Sequence, residues 1–380
     1  MDRNSIAPHS IIGLGEFVST TRPHDVAVFG ASGYTGSQIV RELLAEGVDV
    51  ICVGRDRAKL EAIVSRHGWH VRVEAAELDS RHRLESICAD VITVVNAAGS
   101  FVETCDPIAR AAIASGSHYV DISGEPQSIR SVFDDLHRPA VAAGIALVPS
   151  AAFYATLADL LVSVMADDLD HVDAIHIGYH ITDWIPSGAA YANFLRGMGK
   201  PIIQFDHGLI EVPQPHYRTM DFGQPLGKLP TFTYPAPEVL TIPRHVNVDR
   251  INTAVSTSTF KTMIPDRLTP AMTRVIGRGL AGPARPLVER VLSTTTGSSR
   301  ERIHADPTTF RIAVRLKADT VVRTATFDSR GIFDITSPIA ATIATLTLTN
   351  TFNESGALAP AEIVSNPRGL LNALADDFDC

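Results

Sequence analysis

Cysteine is scarce in this chain of 380 residues: Cys52, Cys88, Cys105 and Cys380 are widely spaced and form no CxxC pair. That spacing excludes a disulfide framework and a cysteine-built zinc centre and suits a reducing compartment. The thiols read as small buried hydrophobes. A surplus of positive charge is missing too, with 33 Lys and Arg against 42 Asp and Glu and a net charge of −9. An acidic surface repels phosphate backbones and anionic lipid, so no nucleic acid or membrane partner is expected. No basic start followed by an apolar run opens the sequence; residues 1–23 carry Asp2, His9 and Glu16 instead, unlike a signal peptide. The most apolar long stretch, Ile145 to Ala166, is interrupted by Pro149 and Asp159, which excludes a membrane span. Fourteen histidines occur, but none in HxH or HExxH spacing, so no metal is expected. The expectation is a soluble, cytoplasmic protein.

What is present is an ordinary globular balance of 45% hydrophobic and 20% charged positions, long enough for two domains. From Asp25 onward, short apolar runs alternate with helical patterns. Strands are expected at 25–29, 48–53, 71–74, 90–95, 118–122 and 145–148. Helices are expected between them at 35–46, 58–67, 81–88, 106–115 and 128–143. Strands apolar on both faces that alternate with helices predict an α/β fold with a doubly wound parallel sheet, a Rossmann arrangement. Past residue 151 the rhythm changes to a helix at 156–165, strands near 174–180 and 246–257, and a hairpin over 308–317 and 320–328. Proline and glycine crowd residues 205–245, which reads as an irregular lid or long surface loop.

The strongest local signal is Gly30-Ala-Ser32-Gly33-Tyr34-Thr35-Gly36, between the first strand and the first helix. Small residues there let backbone N–H groups approach a pyrophosphate, and the helix N-terminus adds positive potential. The spacing is GxxGxxG and not GxGxxG, so the strand–loop–helix–strand context carries the reading. The second strand ends Val53-Gly54-Arg55-Asp56-Arg57, with Lys59 close behind. An arginine there suits the 2′-phosphate of NADP, whereas an acid would grip the ribose diol of NAD. Arg55 comes first, favouring NADP, and Asp56 argues the other way. Asn96-Ala97-Ala98-Gly99 closes the most apolar strand and is expected to border the nicotinamide ribose. Glu125, after Asp121-Ile-Ser-Gly124, follows another strand's carboxyl end. His118 reads as a packing residue, and His176 and His180 as neighbours on one strand face. No Tyr-x-x-x-Lys pair follows the fourth or fifth strand, so the short-chain dehydrogenase apparatus is absent.

The GASGYTG loop, VGRDRAKL, NAAGSF and HYVDISGE together resemble the saccharopine dehydrogenase-like oxidoreductases, a group that includes saccharopine reductases and trans-acting enoyl reductases. The resemblance covers residues 24–165 and returns in Gly356-Ala-Leu-Ala-Pro-Ala-Glu362. It implies an N-terminal Rossmann domain, a second mixed α+β domain, and a cleft between them for the nicotinamide. Many members carry Gly-Phe-Asp-Ser-x-Pro-x-Asp-Leu after the last Rossmann strand. Here that run is Ala152-Phe153-Tyr154-Ala155-Thr156-Leu157-Ala158-Asp159-Leu160, which keeps Phe153 and Asp159 but replaces the Asp-Ser pair by Tyr154-Ala155.

The expected organisation is an extension over 1–23, an NADP-binding domain over 24–150, and a substrate or dimerisation domain over 151–350. A C-terminal segment, 351–380, is expected to pack back on the Rossmann domain. The expected activity is NADPH-dependent reduction of a small or medium organic molecule at a C=N, C=C or ketone group. Carrier-bound polyketide or lipid reduction and a non-catalytic NADP sensor are the alternatives. Tyr154, where the chain leaves the sixth strand, and Glu125 are the candidate proton donors. Gly30, Ser32, Gly33, Tyr34, Thr35, Gly36, Arg55, Asn96, Ala97 and Gly99 are the candidate cofactor contacts. A homodimer is a further possibility.

Overall fold

The computed structural model describes residues 22–184, 201–212, 217–260 and 306–380. Residues 1–21, nearly all of the expected extension, lie outside the described residues. Two compact units are present. The first runs to Val164 and also holds Leu240–His245 and Phe333–Leu374; the second holds Met165–Val239, Val246–Ile332 and Ala375–Cys380. The first unit therefore extends beyond residue 150, where the sequence placed its end, and recovers a long segment from near the C-terminus. Among the described residues, no helix is long and apolar enough to cross a membrane.

The first unit is built on strands β1 (His24–Phe29), β2 (Val50–Gly54), β3 (Arg72–Ala75), β4 (Val91–Asn96), β5 (His118–Asp121) and β6 (Ala146–Val148). A C-terminal strand, Gly356–Ala357, lies outside β6. From that strand the order is β6, β5, β4, β1, β2, β3, with every pairing parallel. This is the expected doubly wound sheet. Its central strands are apolar because helices cover both faces: all six residues of β4 are buried, as a parallel sheet demands. Helices α1 (Tyr34–Ala45), α2 (Arg57–His67), α3 (Arg81–Ala89) and α4 (Phe101–Ser115) follow the first four strands in turn. Just ahead of β1, the Arg22 guanidinium donates to the carbonyls of Cys88, Ser115 and Gly116 and to the Ser117 hydroxyl, at 2.7–3.1 Å. It thereby satisfies orphan carbonyls at the C-termini of α3 and α4.

Two helix boundaries differ from expectation. The helix α4 starts at Phe101 instead of residue 106, leaving Pro107 inside it. Burial of Phe101, Thr104 and Cys105 draws the earlier turn into the core, and that gain outweighs the one backbone bond proline removes. The helix expected over 128–143 begins at Pro126 and is interrupted: α5 (Pro126–Ser131) passes through a π turn at Val132–Leu136 into α6 (His137–Ala143). Pro139 has no N–H for the carbonyl four residues back, which explains a break in the α-ladder there. Beyond β6 comes α7 (Thr156–Ala166).

The second unit is a mixed sheet. Its strands are β7 (Ala174–Thr182), β8 (Ile202–Asp206), β9 (Leu209–Val212), β10 (Tyr217–Asp221), β11 (Lys228–Thr233), β12 (Arg250–Ser256), β13 (Thr309–Ala318) and β14 (Val321–Arg330). The C-terminal strand of the first unit is thus β15, and β16 (Asp377–Asp379) pairs with β14. The order is β10-β11-β12-β7-β13-β14-β16, with β8 pairing β12 and β9. Of these pairings only β12 with β7 is parallel. The hairpin β13–β14 matches its expectation, with Phe310, Ile312, Val314 and Leu316 buried.

The irregularity expected over 205–245 is overturned, because β9, β10 and β11 run through the segment. Its prolines sit where a strand can spare a donor. Pro225 lies in the turn closed by Phe222 and Gly227. Pro230 faces Thr219 of β10, one residue before β11 begins to pair with β12. Pro213 and Pro215 lie outside the described residues.

After the short helix α8 (Glu238–Thr241), the helix α9 (Ile332–Leu346) is one that its isoleucines, threonines and Pro338 did not suggest. From Phe333 onward it belongs to the first unit, where Thr347, just past its end, bonds Thr93 of β4 at 2.6 Å. Two short helices, α10 (Pro360–Ile363) and α11 (Pro367–Leu374), complete that unit.

Candidate active site

The glycine loop is fixed at the carboxyl ends of β1, β2 and β4. Gly30 and Ala31 donate to Val53 O, at 2.9 and 3.2 Å, and Ala97 N donates to Phe29 O at 2.9 Å. Two glycines are required there by close approach. A Cβ on Gly30, whose φ is +81°, would lie 2.7 Å from the Ala97 carbonyl; one on Gly36 would lie 2.2 Å from the Gly30 oxygen. The backbone of α1 is therefore drawn against the loop as no larger residue allows. Gly33 caps α1 without a side-chain bond, and no acidic residue stands in the first turn, so the positive end of the helix is left for an anion. Ser32 and Gly33 are exposed, Tyr34 and Thr35 half-buried. The Tyr34 hydroxyl donates to Asp334 of α9 at 2.5 Å, which ties the loop's far end to the C-terminal part of the unit.

The basic residues after β2 separate by their partners. Arg57 reaches Glu61 at 3.7 Å and Glu74 at 3.5 Å, and Lys59 reaches Asp56 at 3.5 Å. Arg55 is exposed and has no hydrogen bond or ion pair among the described residues. Asp56, the rival for this position, is the N-cap of α2: its carboxylate accepts from Lys59 N at 3.1 Å. That amide bond, with the Lys59 charge, holds its carboxyl below the ordinary range.

The turn after β4 is fastened by side chains. The buried Asn96 accepts from Ala98 N at 3.0 Å, and Thr104 donates to Ala98 O at 3.0 Å. Ala97 is half-buried and Gly99 exposed. Asn96 also donates to the Tyr119 hydroxyl at 3.1 Å, which donates to Asp121 at 3.0 Å. Asp121 is fully buried, and burial pushes its carboxyl above the ordinary value against the pull of the Ser150 and Ser123 amides. Only Asn96 of this network was singled out as a site residue. Glu125 accepts from Val102 N at 3.1 Å, which places its carboxylate on the first turn of α4.

Tyr154 is half-buried. Its ring packs edge-on against Phe153, centroids 4.7 Å apart, and lies near Gly124, where a Cβ would meet Tyr154 Cδ2 at 3.9 Å. Tyr154, on the loop after β6, thus lies beside Gly124, the chain neighbour of Glu125 on the loop after β5. Three non-glycine residues with positive φ occur at the strand ends here, Ser100 at 60° after β4, and Ser150 at 64° and Ala155 at 66° after β6. Left-handed backbone of this kind is costly and clusters at functional sites.

The two stretches carrying resemblance outside the Rossmann core meet. Asp159 of α7, fully buried, bonds His245 Nε2 at 2.8 Å and accepts from Ala361 N at 3.1 Å. Arg244 bonds Glu362 at 3.0 Å and Ala357 O at 2.6 Å. No pattern in the sequence pointed to Arg244 and His245 as partners, since they stand 86 positions or more from what they bind.

In the second unit, His176 and His180 lie on β7 as expected. His180 Nδ1 bonds the Ser256 hydroxyl at 2.9 Å, and burial with nearby arginines lowers the His176 pKa. A cavity of about 310 Å³ is lined by His180, Arg311, Asp328 and Arg330 among others. Its cations are already paired: Arg311 binds Asp328 through two bonds of 2.8 Å and Arg330 binds Asp376 at 2.9 Å. It offers no uncompensated charge to a ligand.

Comparison with known proteins agrees with the loop geometry. The family described as "Saccharopine dehydrogenase NADP binding domain" matches residues 26–148. The human saccharopine dehydrogenase-like oxidoreductase is 28% identical over 156 residues, 37% of this chain and 36% of the relative. A Mycobacterium tuberculosis protein named for trans-acting enoyl reduction is 28% identical over 151 residues, 38% and 36% of the two chains. The matched part thus spans little more than a third of the length of these relatives. The solved apo saccharopine dehydrogenase (L-Glu forming) of Saccharomyces cerevisiae shares the fold, with a TM-score of 0.62 at 12% identity, covering 92% of this chain and 96% of that one. With its doubly wound sheet and close-packed glycine loop, the stretch from Val26 to Val148 matches the saccharopine dehydrogenase NADP-binding domain in both sequence and fold.

Proposed function

We propose that the protein is an NADPH-dependent reductase of a small or medium organic molecule. The observation that carries this reading is Arg55: a cation just after β2 with no partner among the described residues, beside a glycine loop that admits no Cβ at Gly30 or Gly36. A guanidinium is suited to a phosphate by its planar fork of donors. In this reading Gly30, Ser32, Gly33, Tyr34, Thr35 and Gly36 hold the pyrophosphate against the N-terminus of α1, Arg55 holds the 2′-phosphate, and Asn96, Ala97 and Gly99 border the nicotinamide ribose. The bound cofactor supplies the hydride.

The protein's own chemical task is then to orient the acceptor, exclude water and deliver one proton. Tyr154 is our first choice as donor, since it stands beside Gly124 on a loop held at positive φ. Glu125 is the second choice, its carboxylate being engaged by the Val102 amide. Among acceptor bonds, the name of the mycobacterial relative favours C=C, with C=N and ketone groups as the other arms of a substrate panel.

The cofactor half is tested by Arg55→Ala. Loss of a charge-assisted phosphate contact should weaken NADPH by about 1.5–3 kcal/mol while leaving NADH nearly unchanged. Equal loss for both cofactors, or a native preference for NADH, overturns the assignment. The proton donor is tested by Tyr154→Phe, which should lower turnover roughly 10²–10⁴-fold with NADPH binding intact. Activity within a few fold of the parent removes Tyr154 from the mechanism.

A further inference from the structure

Beneath the loops that would receive the nicotinamide lies a buried polar chain of which the proposed chemistry uses only Asn96. It starts at Ala98, whose N–H is held by Asn96 at 3.0 Å and whose carbonyl is held by Thr104 at 3.0 Å. Asn96 donates onward to Thr104 at 3.2 Å and to Tyr119 at 3.1 Å. Tyr119 donates to Asp121 at 3.0 Å, and the other oxygen of Asp121 accepts from Ser123 N and Ser150 N, both at 2.9 Å. Cys105 lies 3.5 Å from the same carboxylate. Asn96, Tyr119, Asp121 and Ser123 are fully buried. The chain therefore joins the turns after β4, β5 and β6 through side chains, beside the backbone bond from Ala151 N to Asp121 O at 2.7 Å and above strands already paired through their backbones.

We propose that Tyr119, with Thr104, is a positioning residue for the nicotinamide half of the cofactor. Three features separate this from ordinary satisfaction of core polar groups. First, the bonds go to turn backbone and not to strand backbone, so the paired sheet does not need them. Second, a buried polar network costs more than an apolar packing of the same volume, so its presence calls for a use. Third, the strained residues Ser100 and Ser150 stand at its two ends, and strain of this kind persists only where the surroundings over-determine the backbone. The network fixes the turn expected to border the nicotinamide ribose, whereas the glycine loop and Arg55 fix the adenine side. The inference rests on the cofactor reading above.

The experiment compares two probes: NADPH, and 2′,5′-ADP, which carries only the adenine half and its 2′-phosphate. Tyr119→Phe removes one hydroxyl and leaves the ring; Thr104→Val reads the same turn from its other side should the first variant fold poorly. Thr347→Val, which breaks the buried bond to Thr93, controls for general loss of stability. Either turn variant should bind NADPH about three- to tenfold more weakly while 2′,5′-ADP binds as before. The control should leave both affinities unchanged at a similar fall in Tm. Failure of 2′,5′-ADP to bind the parent protein overturns the cofactor reading and this inference with it. Binding of 2′,5′-ADP together with an unchanged NADPH affinity in the turn variants, or a loss shared by both probes, overturns the positioning role alone.

Discussion

The two sheets use polar residues in opposite ways. In the first unit, polar side chains gather at the carboxyl ends of parallel strands and hold turns: Asn96, Tyr119, Asp121 and Thr104 bond mostly to turn backbone or to each other. In the second, they pair across antiparallel neighbours: Arg311 on β13 binds Asp328, its partner in register on β14, and His176 faces Arg315. The lesson is one of connection. A parallel sheet with covered faces leaves strand ends as the natural place for chemistry, whereas an antiparallel sheet can spend its charges on its own face.

The sharpest contrast is between two glycines. A Cβ on Gly36 would meet the backbone oxygen of Gly30 at 2.2 Å, while one on Gly178 of β7 would meet the Met220 sulfur at 2.5 Å and the Phe222 ring at 2.9 Å. Backbone cannot yield without moving the loop, but a methionine can turn aside. Gly36→Ala should therefore abolish measurable NADPH binding, a loss of about 100-fold or more. Gly178→Ala should leave NADPH affinity alone and cost on the order of 1 kcal/mol of stability by overpacking. Fluorescence titration with NADPH and a urea melt of each variant check the pair, and equal effects on cofactor binding would break the comparison.

Next in size is Arg311→Met. The guanidinium is almost fully buried, and besides Asp328 it holds the carbonyls of Phe222 and Gln224 at 3.0 and 2.6 Å. Its removal should cost about 2–4 kcal/mol in urea unfolding, since Asp328 and two carbonyls lose their donor. Cofactor affinity should not change. Arg55→Ala should show the reverse pattern, stability preserved and NADPH binding weakened, because an exposed cation with no partner among the described residues adds little to the fold.

The first unit also carries a pH signature of its own. His118 Nδ1 accepts from Ala146 N at 3.0 Å, and burial, helped by the Arg22 charge, lowers its pKa to about 4 from 6.5. The folded state thus resists a proton that the unfolded chain accepts. Stability from this group is complete above about pH 6.5 and is lost as pH falls toward 4, by about 2–3 kcal/mol. His118→Asn should flatten that acid limb in melts recorded across the window; an unchanged limb would show that other groups set it.

His245 works in the opposite sense and more weakly. Burial disfavours its charge, but the Asp159 carboxylate and its hydrogen bond, with Glu362, outweigh that and raise the pKa. Its contribution is full below about pH 6.5 and is lost as pH rises through the higher folded value. In His245→Gln the stability difference from the parent should shrink as pH rises from 6 to 8; a constant difference would contradict the charged pair.

How much was legible follows from burial. Strands β1, β2 and β4 are buried and mainly apolar along most of their length because both faces are covered, so composition alone reveals them. The glycine loop was legible for a similar reason, since close approach leaves one residue type. Strands β9 and β10 were not, because their exposed faces and the nearby prolines erase the alternation a half-buried strand shows. The helix α9 was hidden by β-branched residues that disfavour isolated helices and are tolerated once packed. Within the candidate site, Arg55 was legible from its place directly after β2, but the engagement of Arg57 by Glu74, a residue of another strand, was not. The role of Tyr119 was invisible, since a tyrosine inside an apolar strand reads as core until its hydroxyl's neighbours are known.

The strand β15 gives the first unit a timetable. The edge of β6 is closed by residues that lie about two hundred positions further along the chain, a distance that synthesis crosses in roughly ten to forty seconds. Until then β6 presents open backbone donors and acceptors, and Arg244 and Asp159 lack the partners that Ala357, Ala361 and Glu362 bring. Completion of the nucleotide-binding sheet must therefore wait until the second unit has been made up to Ile332, so that the nascent chain cannot acquire its finished cofactor domain ahead of that part.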